Sequence, residues 1–366
     1  MSIRDLLRDR TPVRRKHAVT HLLITVLCFA FSVTGTRIFL ELTGYPQLGS
    51  GELHIAHVLW GGVFLFAASL LPLIWVNQWV LNLSAVLSGL GVGLFIDEVG
   101  KFITSSNDYF YPSAAPIVYA FFLLTVLVFV QVKRHRKHSS RSLMYGILED
   151  FAEVLDHDLS TVEHKRLMNQ LDAVLRDEND QQMVQLARSL QSYLTHKKTL
   201  VVNHKPELWE RIGDGWQRFA NNWLSRKRLR AILVLGLLVW AGWAVSSQTI
   251  RFLMTNNVEQ FRILIEQFIA NELIADASGM HWFEAQIILE GAMGIIALVA
   301  VLFFLIKQDR FGTWIGIIDL VFTLVVVNLL TFYFDQFSTI AFAALQFLLL
   351  VLMLYYKRKH LDKGKA

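Results

Sequence analysis

Two histidines three residues apart, His54 and His57, open one apolar run, and the pair Asp97-Glu98 closes the next. Imidazole and carboxylate are ligands for zinc, iron and manganese. They are also the groups that exchange protons near neutral pH. With about 100° between successive helical residues, His54, His57, Gly61, Ala68 and Pro72 share one narrow face. Along the following run, Ala85, Gly89, Gly93, Asp97 and Lys101 recur at every fourth position. Small residues at that spacing let helix backbones approach closely, so this stripe is expected to bring the two runs together. The imidazoles and Asp97 then meet near one end of adjacent antiparallel helices. The expectation is that His54, His57 and Asp97 bind one divalent metal (Zn, Fe or Mn) or share a proton. Glu98 points about 100° away from Asp97 and is expected to support the site from outside. Arg37, which ends the preceding run, is a candidate partner of Asp97. The plainer alternative is structural: Asp97 pairs with Lys101 one turn on, acid before base, and the histidines bond water and lipid headgroups.

The second half of the chain adds His281, Glu284 and Glu290 at the start of another apolar run, with Glu284 and Glu290 as further binding candidates. Asn328 and Asp335, seven residues apart, share a helical face. Ionisable groups within a membrane are functional candidates by default. Asp319 differs from the others. It falls toward the opposite end of its run, where Arg310 or Lys307 is its expected partner.

These residues lie in or beside runs of about 20 apolar residues, the length that crosses a bilayer as a helix. The chain has 366 residues, 54% hydrophobic and 18% charged, against roughly 45–50% and about 25% in soluble domains. That excludes a soluble enzyme, a disulfide-stapled secreted domain and a disordered chain. The single cysteine, Cys28, lies inside an apolar run and makes no intrachain disulfide. Eight runs meet the length requirement, at about 19–40, 54–76, 80–104, 114–132, 230–253, 284–306, 314–334 and 337–356. Backbone polar groups must be paired in lipid, so the runs are helices. The fold class is an all-α polytopic membrane helix bundle of about eight transmembrane helices. The basic, then apolar N-terminal stretch is too long for a signal peptide and reads as an uncleaved first span.

Basic residues orient the chain. A cytoplasmic N-terminus leaves only Arg37, Lys101, Arg251 and Arg262 on or near the outer side. The clusters Arg14-Arg15-Lys16, Lys133 to Lys137, Arg226 to Arg230 and Lys357-Arg358-Lys359 then fall inside, as the positive-inside rule prefers. The same clusters account for the net charge of +5 as anchors to anionic headgroups, with no nucleic-acid partner. Residues 133–228, between the transmembrane halves 1–132 and 229–366, are more polar and are expected to form a helical cytoplasmic insert. Ser160-Thr161-Val162-Glu163 reads as a capping box. Trp209, Ile212, Trp216, Phe219 and Trp223 make an apolar stripe suited to the inner leaflet, a partner, or the insert's own helices. A second amphipathic stretch, Val258 to Ile274, precedes the sixth run.

Four runs, an insert and four more runs suggest a parallel 4+4 duplication. Arg37 and Arg251 end the first run of each half, His54 to Gly62 align with Glu284 to Ala292, and Asp97 corresponds to Asp335. The segment 52–104 resembles a family of bacterial multi-pass membrane proteins with no assigned activity. Its carriers are His54, His57 and Gly61 at the start of one span and Gly89, Gly91, Gly93, Asp97 and Glu98 in the next. The resemblance implies a bacterial inner-membrane location and a shared site, without a reaction.

Phosphate-binding loops, nucleophile elbows and zinc-protease motifs are missing from the sequence. Three functions are expected from what remains. One is an outward-facing site acting on a lipid or periplasmic small molecule. Another is a secondary transporter or ion and proton pathway. The third is a sensor that reports through the insert. The orientation is directly testable with an impermeant thiol reagent on intact cells. Gln47→Cys should label and Ser140→Cys should not; the reverse pattern overturns the topology.

Overall fold

The computed structural model describes residues 11–44, 56–105, 108, 111–134, 139–155, 159–176, 181–196, 225–255, 266 and 277–362. Among them every regular element is helical. The expected stripe Trp209–Trp223, the stretch 258–274 apart from Glu266, and His54 lie outside the described residues. The first half contains α1 (Ala18–Thr43), α2 (His57–Ile74), α3 (Gln78–Asp97), the short α4 (Val99–Ile103) and α5 (Ala114–Lys133). The insert contains α6 (Ser140–Leu155), α7 (Thr161–Leu175) and α8 (Gln181–His196). The second half contains α9 (Arg226–Thr255), α10 (Ala277–Leu305), α11 (Asp309–Phe322), α12 (Asn328–Asp335) and α13 (Ile340–Tyr356).

Among the described residues, seven helical stretches are long and apolar enough to cross a membrane. Their outward faces carry exposed Phe31, Phe66, Leu235, Ile288 and Ile318, the surface that hydrocarbon tolerates. The longest stretch, Asp309–Leu361, reverses at Gln336, whose backbone takes φ 49° and ψ −136°. Its two arms pack together, with the Tyr356 hydroxyl donating to Asp309 Oδ2 at 2.6 Å. Between α11 and α12 the helix widens into one π turn, Thr323–Val327.

The chain divides into two compact units. One comprises the described residues of 1–27, 67–88 and 126–213. Its helical core is Met144, Ile147, Val154, Leu159, Leu167, Leu171, Val174, Ala187 and Leu194. The capping box forms as expected: Glu163 N donates to Ser160 Oγ at 3.2 Å, and Ser160 N donates to Glu163 Oε2 at 2.8 Å. Lys16 pairs with Asp150, and Gln78 Nε2 donates to Glu149 Oε1 at 2.8 Å. In the same unit, Pro72 has no N–H to offer the Ala68 carbonyl one turn back. Ser84 Oγ of α3 takes that carbonyl at 2.7 Å. A polar side chain thereby restores the bond the proline removes, as lipid requires.

The other unit holds the described residues of 28–66, 89–125 and 214–366. In its second-half bundle, α9 packs on α10 and α13, and α11 packs on the same two helices. Leu233, Leu237, Trp240, Ala297, Ala300, Phe304, Leu320, Leu349 and Met353 fill the centre. In the first half, glycines set the helix spacing, though with a different partner than the sequence suggested. A Cβ on Gly93 would lie 2.6 Å from Ser32 Cβ, so Gly93 faces α1 and not α2. The α2–α3 approach is made by Gly61 and Gly91, where each added Cβ would stand 2.9 Å from the other residue's carbonyl oxygen. Four-residue periodicity reveals a face that must be approached closely. It does not say which helix approaches.

The neighbouring glycines of α2 make this testable. Gly61→Ala should cost about 1–3 kcal/mol through overpacking against backbone. Gly62→Ala, with open space around its added Cβ, should be neutral or slightly stabilising. Thermal unfolding in detergent measures both, and equal shifts would remove the close-contact argument.

Candidate functional site

The site is built where α3 ends. Asp97 is its last residue, and Glu98, with φ −92° and ψ 11°, leaves helical geometry before α4 begins. A helix end frees carbonyl oxygens, and Arg37 of α1 uses one. Its Nη2 donates to the Asp97 carbonyl at 3.1 Å while its Nε donates to Asp97 Oδ1 at 2.7 Å. The guanidinium also lies 3.8 Å from the ring centre of Phe337, in the turn between α12 and α13. Arg37, Asp97 and Glu98 are 7%, 0% and 1% exposed. A charge so buried is tolerated only when paired.

His57, the first residue of α2, inserts its ring between the two acids. Nε2 lies 3.2 Å from Asp97 Oδ2, and Nδ1 lies 3.3 Å from Glu98 Oε1. Lys101 Nζ donates to the same Glu98 Oε1 at 2.9 Å. The backbone break at Glu98 turns its carboxylate toward the ring instead of 100° away, so it touches His57 directly. Of the sequence candidates, the fold therefore unites Arg37, His57, Asp97, Glu98 and Lys101. Glu284, on α10, is exposed and pairs with His281 at 3.6 Å. Glu290 is buried further along the same helix.

The chemistry of this arrangement follows from counting donors and charges. The two carboxylates face two cations, Arg37 and Lys101, and the His57 ring lies between the acids. Neutral imidazole has one N–H; only imidazolium donates from both nitrogens. Each nitrogen here faces a carboxylate oxygen. As a metal centre the cluster is less complete. No group of three His, Cys, Asp or Glu side chains surrounds a common point among the described residues. The Arg37 guanidinium also occupies one side of Asp97. One feature does suit a cation: Glu98 Oε2 is buried with no hydrogen-bond partner among the described residues.

The sequence reading named Asn328 and Asp335 without their partners, and it missed Gln346, Tyr119 and Gln286. Asn328 Nδ2 donates to Gln346 Oε1 at 2.8 Å, and the Tyr119 hydroxyl of α5 donates to the Leu324 carbonyl at 2.6 Å, inside the π turn. A lone glutamine in the last apolar run was the available signal. Asp335 Oδ2 accepts from Gln286 Nε2 at 3.2 Å. Arg226 Nη2 donates to Asp309 Oδ2 at 3.0 Å, and Arg230 Nε lies 3.4 Å from Asp309 Oδ1. These two arginines thus meet a buried carboxylate, in addition to any headgroup role. Asp319 meets neither Arg310 nor Lys307, which are both exposed; it sits beside Trp240 in the core of the second half. Comparison with protein-family models, curated proteins and solved structures gave no match.

Removing one ion of a buried pair costs about 3–5 kcal/mol, because the other charge is stranded. Arg37→Met should therefore destabilise the protein by about that much, and adding Asp97→Leu should recover most of the loss. Lys101→Met should cost less, since its side chain retains 26% exposure. A double-variant cycle on thermal unfolding in detergent tests this. Additive losses from Arg37→Met and Asp97→Leu would show that the pair does not couple.

Proposed function

We propose that the protein is an eight-span protein of the bacterial inner membrane and that it provides a proton pathway, with His57 as its outward-facing proton-binding group. The observation that carries this reading is the histidine ring held between two buried carboxylates, each nitrogen 3.2–3.3 Å from an oxygen. A one-sided site for a lipid or periplasmic molecule would need only the outer cluster. The conducting reading is favoured by the further buried polar groups Asn328, Gln346, Asp319 and Asp309 along the second half. The eight-span count takes the reversal at Gln336 as the boundary between two crossings. Basic clusters support a cytoplasmic location for both termini and the insert. A parallel 4+4 arrangement is supported by a shared feature: Asp97 ends α3 and contacts α2, while Asp335 ends α12 and contacts α10.

Vesicles carrying the purified protein and an internal pH-sensitive dye test the pathway. After an external pH step with potassium and valinomycin to collapse the potential, wild type should equilibrate faster than empty vesicles. His57→Gln should return the rate to background, and Lys101→Met should retain much of it. A wild-type rate equal to that of empty vesicles rejects the proposal.

A divalent metal is the second reading, favoured by Glu98 Oε2, which has no hydrogen-bond partner among the described residues and lies beside His57 and Asp97. His57, Asp97 and Glu98, with His54, would hold it. Metal content of wild type, His57→Ala, Asp97→Asn and Lys101→Met decides. Metal lost in the first two variants and kept in Lys101→Met supports the ligand set, and a metal-free wild type removes it.

A further inference from the structure

Asp319 is 1% exposed, and neither carboxylate oxygen has a hydrogen-bond partner among the described residues. Trp240 Nε1 and Thr323 Oγ1 are buried with no partner in bonding geometry either. The three belong together. Trp240 is buried in the same cluster as Leu320, the residue after Asp319, with its indole beside the carboxylate. Thr323 stands four residues on, at the first position of the π turn, a spacing that places side chains on the same helical face. The helices supply the register. Arg230 of α9 meets Asp309 of α11, and ten residues along each helix stand Trp240 and Asp319. At about 1.5 Å per residue, this level is about 15 Å from the Arg230–Asp309 pair. That is about half of a ~30 Å hydrocarbon core, deeper than the apolar run beginning at 314 implied.

We propose that Asp319 is a proton-binding site in the middle of the membrane, with the Trp240 N–H and Thr323 O–H as the donors that meet its charged form. An isolated carboxylate in an apolar core carries so large a desolvation cost that it takes up a proton instead. Among the described residues, Glu290 of α10 is buried about two turns before Ala297, which lies in the core beside Leu320, and the other charged groups of these helices lie toward their ends. Arg226 and Arg230 of α9 and the Tyr356 hydroxyl of α13 converge on Asp309. Glu284 and His281 of α10 pair with each other. Lys227, Arg228, Lys307 and Arg310 are exposed. The π turn immediately beyond Asp319 adds a second feature, since such turns concentrate at functional positions.

The use of this proton rests on the pathway proposed for His57, but its presence does not, and the two are measured separately. A hydrophobic carbodiimide reacts with a protonated carboxyl in apolar surroundings. The carboxyl proton passes to the reagent's nitrogen, the carboxyl oxygen bonds its central carbon, and rearrangement leaves a stable N-acylurea. Purified wild type in detergent should carry this adduct on the peptide containing Asp319, with labelling that declines as pH rises. Asp319→Asn should lose the adduct, whereas Glu98→Gln should keep it. Infrared spectra give a second measurement: the carbonyl stretch of a protonated carboxyl should be present in wild type and missing in Asp319→Asn. An unlabelled Asp319 peptide in folded wild type, or labelling that does not depend on pH, would overturn the proposal. Adduct on Asp319 in a protein that conducts no protons would sustain this site while rejecting the pathway.

Discussion

The ion pair between Arg37 and Asp97 is the contact on which the first half depends. Both groups are withdrawn from water, and each would be untenable there without the other. The pair forms because α3 stops at Asp97, which frees the carbonyl that takes the second guanidinium nitrogen. That stop turns Glu98 toward His57, and the two acids then define where the imidazole sits. The close packing below supports the same geometry: Gly93 admits Ser32 of α1, and Gly61 with Gly91 lets α2 run against α3. One helix end therefore sets the positions of residues from three helices.

Much of this was legible from residue type and spacing. Hydrophobic run length alone revealed the helices, since a bilayer leaves an apolar segment few alternatives. The meeting of His57 with Asp97, and Arg37 as partner, followed from matching depth and helical face. Other details were hidden for physical reasons. Glu98 was misplaced because the apolar pattern continues across the break at residue 98, so periodicity could not show that the helix ended. Gly93 was assigned to the wrong neighbour because a small-residue face carries no name of its partner. Asp319 was given a local cation because α11 begins at Asp309, before the apolar run does, and the added turn moves Asp319 deeper. Arg226 and Arg230 were counted as lipid anchors because charge statistics along the chain do not reveal a carboxylate on a distant helix.

The second half solves the same problem by different means. Alongside the arginines on Asp309, amide side chains serve as partners there: Asn328 with Gln346, and Gln286 with the Asp335 carboxylate. The Asn328–Gln346 contact avoids the desolvation cost of ions and still holds helices in register. The halves also meet through single contacts of specific chemistry, with the Arg37 guanidinium over Phe337 and the Tyr119 hydroxyl on Leu324.

The Tyr119 contact ties the π turn to a length of chain. A π turn holds one more residue than an α turn of the same helix, and its exposed members are Val325 and Val326. A chain lacking one of these valines would regain a continuous α-helix there, with the carbonyl that Tyr119 reaches bonded in the ordinary way. Every later side chain would turn about 100° relative to Asp319, carrying Asn328 off Gln346 and Asp335 off Gln286. The extra residue and the tyrosine are thus expected to be inherited or lost as one unit. In a lineage of such chains, a one-residue gap between positions 319 and 328 should coincide with a phenylalanine at 119.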